Sequence, residues 1–206
     1  GTLLFEALRE AAERGVQVRL LLDDHNTAGL DAALIGLQSH PNIDVRLYNP
    51  LRLRWPRFIN YLADFTRINK RMHNKVFIAD KQMLISGGRN IGDEYFGAHD
   101  AIIFADLDAL MIGPVVDDAN TEFENYWNSV SATPLSELFT LSKPQSLAAL
   151  EYRASELESD PNAQRYVEAV RKLPFVQNFL NQQIKFVWAD VQLVTDNPNK
   201  TLGLAQ

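Results

Sequence analysis

Leu4, Ala7, Leu8, Ala11 and Ala12 recur at the spacing of one helix face, Gly15 stands where a cap belongs, and Val16 to Leu22 follows as an apolar-rich run stopped by Asp23 and Asp24. That pattern predicts a helix and then a buried strand. Asn26 or Thr27 is placed to cap a second helix reaching Gln38, Pro41 closes it, and Ile43 to Tyr48 alternates as a second strand. From His73 the period changes to that of a hairpin, with Val76 to Ala79 and Met83 to Ser86 joined through Asp80, Lys81 and Gln82. Two more strands are expected at Ala101 to Phe104 and Leu107 to Ile112. Pro114 then opens a helix with Val116, Ala119, Phe123 and Trp127 on one face. Residues 131 to 180 read as helices separated by Pro134, Pro144 and Pro161, and Ile184 to Val194 reads as a final strand. Strands alternating with helices predict an α/β fold.

Composition bounds this picture. A chain of 206 residues, 46% hydrophobic and 22% charged, has enough apolar material for one domain with an appendage. Its apolar runs all fall short of the roughly 18 to 20 residues of a spanning helix, and Gly1 to Leu4 lacks the basic start of a signal peptide. With no cysteine there is neither a disulfide framework nor a thiolate metal site. A helix beginning at Leu4 with no opening Met predicts a piece cut from inside a longer protein.

The net charge of −6 argues against a general nucleic-acid binder, yet the charge is uneven. Arg46, Arg52, Arg54, Arg57, Arg67, Lys70, Arg71 and Lys75 face only Asp64 within their own stretch, eight of the chain's 20 basic residues against one of its 26 acids. A wetted loop face is the plain reading. Trp55, Phe58, Tyr61 and Phe65 interleaved with the cations favour an anionic membrane surface or ligand, since aromatic rings suit a lipid interface and guanidinium groups suit phosphate.

Chemistry concentrates in "RMHNKVFIADKQMLISGGRN", residues 71 to 90. On an extended strand His73, Lys75 and Phe77 point the same way, so imidazole and ammonium share about 7 Å of one face and can meet one phosphate. Gly87 and Gly88 allow a close backbone approach, and Asn90 adds an amide donor. A neutral imidazole can attack phosphorus while Lys75 and Asn90 hold the developing charge, and a second acid must protonate the leaving alcohol. No metal or other cofactor is required. Five named residues at fixed offsets from one histidine arise by chance on the order of once in a million, at about one in twenty per position.

At these residues the chain resembles the phospholipase D superfamily, whose signature is His-x-Lys-(x)4-Asp-(x)6-Gly-(Gly/Ser/Thr)-x-Asn. His73, Lys75, Asp80, Gly87, Gly88 and Asn90 occupy every fixed position, with Gly88 where many members carry a hydroxyl. "ERGVQVRLLLDD" (13–24), "HPNIDVRLYNP" (40–50), "GGRNIGDEYF" (87–96) and "DLDALMIGPVV" (106–116) running to "FENYW" (123–127) are similar to the bacterial cardiolipin synthase and phosphatidyltransferase branch. The likeness covers residues 1 to 130 and thins beyond.

The resemblance implies a phospholipase D-like half domain over 1–130, a mixed sheet flanked by helices on both faces, then a helical connecting segment over 131–183. Residues 184–206, which include "FVWADVQLVTDNPNK", would begin a second half. It implies that His73 is the nucleophile, that Lys75, Gly87, Gly88 and Asn90 bind phosphate, and that Asp80 belongs to the catalytic motif by supporting its strand. Asp108 fits the carboxylate that orients the imidazole better than Asp106 does. Glu94 and Tyr95 are near enough in sequence to line the site, and His25, His40 and His99 read as surface or capping residues. The implied partners are phospholipid substrates, an anionic membrane surface and a second copy of the motif, from the same parent chain or a homodimer, with no nucleic acid. The implied location is peripheral, on the cytoplasmic face of a bacterial membrane. Expected activity is transfer of a phosphatidyl group between phospholipids. The alternatives are a phosphodiesterase that hydrolyses lipid or nucleic acid, and an inactive, anion-binding half domain.

Overall fold

The structure, a computed structural model, describes residues 2–53, 56–63, 65–88, 106–139, 152, 155–156 and 159–202. The strand expected at Ala101 to Phe104 lies outside these residues, as do Trp55, Asn90, Glu94, Tyr95 and His99.

Two three-stranded sheets organise the described residues. In the first, α1 (Thr2–Glu13) leads into β1 (Val18–Asp23), and α2 (Asp31–Gln38) carries the chain over to β2 (Ile43–Tyr48), which pairs parallel to β1 from Val18 opposite Ile43 to Asp23 opposite Tyr48. The core of this unit gathers Phe5, Ala12, Leu34, Leu37, Val45 and Leu47, with Leu135 from later in the chain. One expectation fails here. Neither Asn26 nor Thr27 caps α2, because Asp24 to Thr27 winds into a separate 3-10 turn and the Thr27 hydroxyl is taken by the Asp24 carboxylate (2.5 Å) and carbonyl (2.8 Å). The short helices α3 (Phe58–Ala63) and α4 (Phe65–Ile68) follow; at six and four residues they are too brief to leave a periodic signature.

The second sheet is antiparallel: β3 (Val76–Ala79), β4 (Met83–Gly87) and β5 (Asp108–Ile112), in that order. The β3–β4 hairpin closes on Asp80 (φ 52°) and Lys81 (φ 56°), with the Gln82 N–H donating to the Ala79 carbonyl at 2.9 Å. Consecutive left-handed residues match the twist of a hairpin, and aspartate is among the few side chains that tolerate that conformation.

One helix joins the sheets. Gly113 (φ 90°) turns the chain and Pro114 starts α5 (Pro114–Trp127), whose Val115, Val116 and Ala119 pack on Leu84 of β4. Its other end reaches the first sheet. The Arg46 guanidinium lies 4.4 Å from the Trp127 ring centroid and donates to the Trp127 carbonyl at 2.8 Å, while Arg19 forms a two-pronged pair with Glu124 at 2.6 and 3.0 Å. Between the sheets Tyr48, Tyr126 and Ala132 form a third buried cluster, with Leu21 and Met72 against it.

The chain then adds β6 (Ala132–Pro134), antiparallel to β2, followed by α6 (Leu135–Leu138), α7 (Pro161–Arg171) and α8 (Pro174–Leu180). The final strand expected at Ile184 to Val194 is not formed. Residues 183–197 have no ladder partner among the described residues, and Val187, Trp188 and Val194 are 91%, 81% and 84% exposed. Alternation alone does not make a strand; its N–H and C=O groups need a neighbour.

Candidate active site

Residues 70 to 75 run from the end of one sheet to the start of the other. Asp23, the last residue of β1, anchors the near end: its carboxylate accepts from Arg71 Nε (3.0 and 3.1 Å), from Arg71 Nη2 (2.5 Å) and from the Met72 N–H (2.8 Å). The same carboxylate accepts from the His25 N–H at 3.0 Å, holding the 3-10 turn. Asn49, in the left-handed region (φ 51°) beyond β2, donates from its amide to the Lys70 carbonyl at 3.0 Å. The segment thus lies at the carboxyl ends of two parallel strands, where α/β sheets present ligand sites.

His73 and Lys75 come next, ahead of β3 rather than within it. They were expected on a strand, but the β3–β4 ladder starts only at Val76 opposite Ser86 because Asp23 holds Arg71 and Met72 at the first sheet. His73 is exposed, and its imidazole has no hydrogen-bond partner among the described residues. The Lys75 ammonium donates to the His73 carbonyl at 3.1 Å.

The glycines meet this segment from β4. Gly87 pairs with Asp108, and the Gly88 N–H donates to the Leu107 carbonyl at 3.2 Å. A Cβ on Gly87 would collide with the Asp108 carboxylate and the Leu107 carbonyl and lie 2.6 Å from the Asp108 Cα; one on Gly88 would collide with the Asp106 carboxylate. The pair is therefore bare because residues 106–108 cross over it, a reason beyond ligand approach. Asp106 also faces Lys75. Burial lowers the Lys75 pKa and the Asp106 charge opposes that shift. A lysine whose folded pKa is depressed opposes folding while charged, so its contribution to stability improves as pH rises toward the ordinary lysine value, and a bound anion would relieve the same cost.

Of the predicted site residues, Lys75 faces Asp106, which also meets Gly88, and Gly87 pairs with Asp108, while His73 is tied to Lys75 through its carbonyl. Neither aspartate is hydrogen-bonded to the imidazole. Asp80 stands apart: at the hairpin tip it is five residues beyond Lys75, about 16 Å along the strand at roughly 3.3 Å per residue, and shapes the turn. Asn90 lies outside the described residues. Among the described residues no group of three or more His, Cys, Asp or Glu converges as a metal site. His40 Nδ1 accepts from the Asn42 N–H at 3.1 Å, a local turn contact.

The basic stretch is less positive in space than along the chain. Arg57 pairs with Asp31 (3.5 Å) and the buried Asp24 (3.6 Å), Arg71 pairs with Asp23, and Arg46 is stacked on Trp127. Their acidic partners lie up to 48 positions away, where a local count does not find them. Asp23 is the site-holding residue that the sequence did not mark; its placement at the end of an apolar strand was the available signal.

The family described as "Cardiolipin synthase, PLD-like domain" matches residues 2–127. The chain belongs to this family. Its likeness to cardiolipin synthase C of Escherichia coli is 44% identity over 206 residues, all of this chain and 43% of that protein. An uncharacterised protein of Helicobacter pylori is 37% identical over 205 residues, 96% of this chain and 40% of that protein. Cardiolipin synthase B of Salmonella typhi is 31% identical over 118 residues, 57% of this chain and 27% of that protein. The chain thus spans less than half the length of these relatives, and this cardiolipin synthase-type segment carries one His-x-Lys-(x)4-Asp motif. No helix of the described residues is long and apolar enough to cross a membrane.

Proposed function

We propose that the chain is the first half of a phosphatidyltransferase of cardiolipin synthase type. The observation that carries this reading is the 44% identity to cardiolipin synthase C along the whole chain, including the segment that holds His73 and Lys75. In the first step the His73 imidazole attacks the phosphorus of a phospholipid, a P–N bond forms, the P–O bond to the headgroup breaks, and an acid outside residues 71–90 gives the leaving alkoxide its proton. In the second step the hydroxyl of another phospholipid loses its proton to that group and attacks phosphorus, and the P–N bond breaks. Lys75 and Asn90 hold the phosphate oxygens throughout, and a carboxylate of the pair Asp106 and Asp108, with Asp108 preferred, orients the imidazole. The second half of the site comes from the parent chain or from a second copy, at the cytoplasmic face of the membrane.

The full-length protein, given phospholipid vesicles containing a labelled phosphatidylglycerol donor, is expected to form cardiolipin and, on quenching, to carry label through an acid-labile bond. His73→Ala should remove both. Release of labelled phosphatidate without cardiolipin would assign hydrolysis instead, and a full-length His73→Ala protein that still makes cardiolipin would overturn the nucleophile.

A further inference from the structure

Asp23 closes β1 with a side chain that is only 10% exposed, and its two carboxylate oxygens divide their partners. Oδ1 accepts from Arg71 Nη2 (2.5 Å), Arg71 Nε (3.0 Å) and the His25 N–H (3.0 Å). Oδ2 accepts from the Met72 N–H (2.8 Å) and shares Arg71 Nε (3.1 Å). One oxygen therefore holds chiefly the Arg71 side chain, and the other holds the main chain one residue before His73.

A second strand adds to this hold. From beyond β2 the Asn49 amide donates to the Lys70 carbonyl at 3.0 Å, and Met72 packs against the buried cluster of Tyr48, Tyr126 and Ala132. Residues 70, 71 and 72 are thus tied one after another to the carboxyl ends of two parallel strands. His73 is the first residue past the last tie. It is exposed, and its Cα stands one peptide unit, about 3.8 Å, from that of Met72.

The core beside Asp23 does not use its carboxylate. That cluster is built from Phe5, Leu34, Val45, Leu47 and their apolar neighbours, with Leu20 and Leu22 of β1 against it. A carboxylate withdrawn from water is costly unless charge-assisted hydrogen bonds replace its hydration, and among the described residues those bonds come from residues 25, 71 and 72. We infer that Asp23 is a positioning residue for the proposed transfer: through the Met72 N–H and the Arg71 guanidinium it fixes where the His73 imidazole stands when it meets phosphorus. This deepens the transferase reading and rests on it.

The test uses the full-length protein with Asp23→Ala, Asp23→Asn and Asn49→Gly. Asparagine keeps the shape and one acceptor oxygen, enough for the Met72 N–H but not for Arg71 as well. Glycine at 49 accepts the left-handed backbone (φ 51°) while removing the amide that holds Lys70. On phosphatidylglycerol vesicles Asp23→Ala is expected to lower kcat about thirtyfold, and Asp23→Asn and Asn49→Gly about threefold each. KM should stay within about twofold in all three, because a misplaced nucleophile is felt at the reacting atoms and not in ground-state binding. A merely structural role would instead lower the melting temperature and leave kcat per folded molecule unchanged. Hydrogen exchange should show Asp23→Ala loosening residues 71–76 while the β1–β2 ladder keeps its protection. An unchanged kcat in folded Asp23→Ala overturns the inference; should that variant not fold, unchanged kcat in both Asp23→Asn and Asn49→Gly overturns it. If the full-length protein shows no transfer at all, the transferase reading fails and exchange in Asp23→Asn decides the anchor: loosening at residues 71–76 upholds it, and unchanged protection there overturns it.

Discussion

Gly87 and Gly88 are neighbours in sequence with different reasons to be glycine. At Gly87 the obstructing atoms include backbone, the Leu107 carbonyl and the Asp108 Cα, so a methyl group forces β4 and β5 apart; at Gly88 only the Asp106 side chain is in the way, and it can rotate. Gly87→Ala is therefore expected to cost on the order of 1–3 kcal/mol, the usual penalty of overpacking, and Gly88→Ala well under half of that, both read from denaturant midpoints. A larger loss at Gly88 would mean that Asp106 is locked in place. His73, Lys75 and the glycines were legible in the sequence because the motif is local. Asp23 was not, because its partners Arg71 and Met72 are 48 and 49 positions away, and no periodicity connects them.

Helix α5 and the hairpin were legible for the opposite reason: each is long enough for its period to show, and Pro114 marks the helix start. The short pair α3 and α4 shows what length hides. Phe58, Leu62 and Phe65, spaced at i, i+4 and i+7, are 64%, 82% and 62% exposed, an outward apolar stripe on helices of six and four residues. The interleaved cations and aromatic rings favoured an anionic membrane surface or ligand, yet Arg46, Arg57 and Arg71 are already engaged within the protein. If this stripe meets the membrane, cosedimentation with phosphatidylglycerol-rich vesicles is expected to keep an apolar component above 1 M salt, where charge effects reach only about 3 Å. Leu62→Asp should weaken that component about tenfold or more, the worth of a buried leucine. Complete release by salt, with Leu62→Asp binding like the parent, would refute it.

At the scale of the molecule, His73, Gly87 and Gly88 of the motif are exposed. Two clefts lie away from it, one lined by Phe179, Leu180, Ile184 and Phe186 and the other between α5 and residues 191–195. General acid catalysis is commonly worth about a hundred to ten thousand fold, so residues 1–206 alone are expected to turn over phosphatidylglycerol at least a hundredfold more slowly than the full-length protein. If two copies complete one site, specific activity should rise with protein concentration. Full activity in a proven monomer would remove the need for a second half. The α/β character was readable from alternating periods, but the division into two sheets was not. It depends on where Asp23 pulls the chain away before β3 can extend backward to His73. The strand expected at Ile184 to Val194 failed for a related reason, since pairing is a property of two segments.

Because residues 70–75 cross from one sheet to the other, the imidazole rides on a short tether whose two ends are fixed to different bodies. Any change that slides one sheet against the other, such as a repacked Tyr48–Ala132 cluster or a lost Arg46–Trp127 stack, alters the tension in that tether before it melts either core. If His73 is the nucleophile proposed above, such substitutions would pass a screen for soluble, folded protein and still lower activity, which makes expression level a poor proxy for a working site.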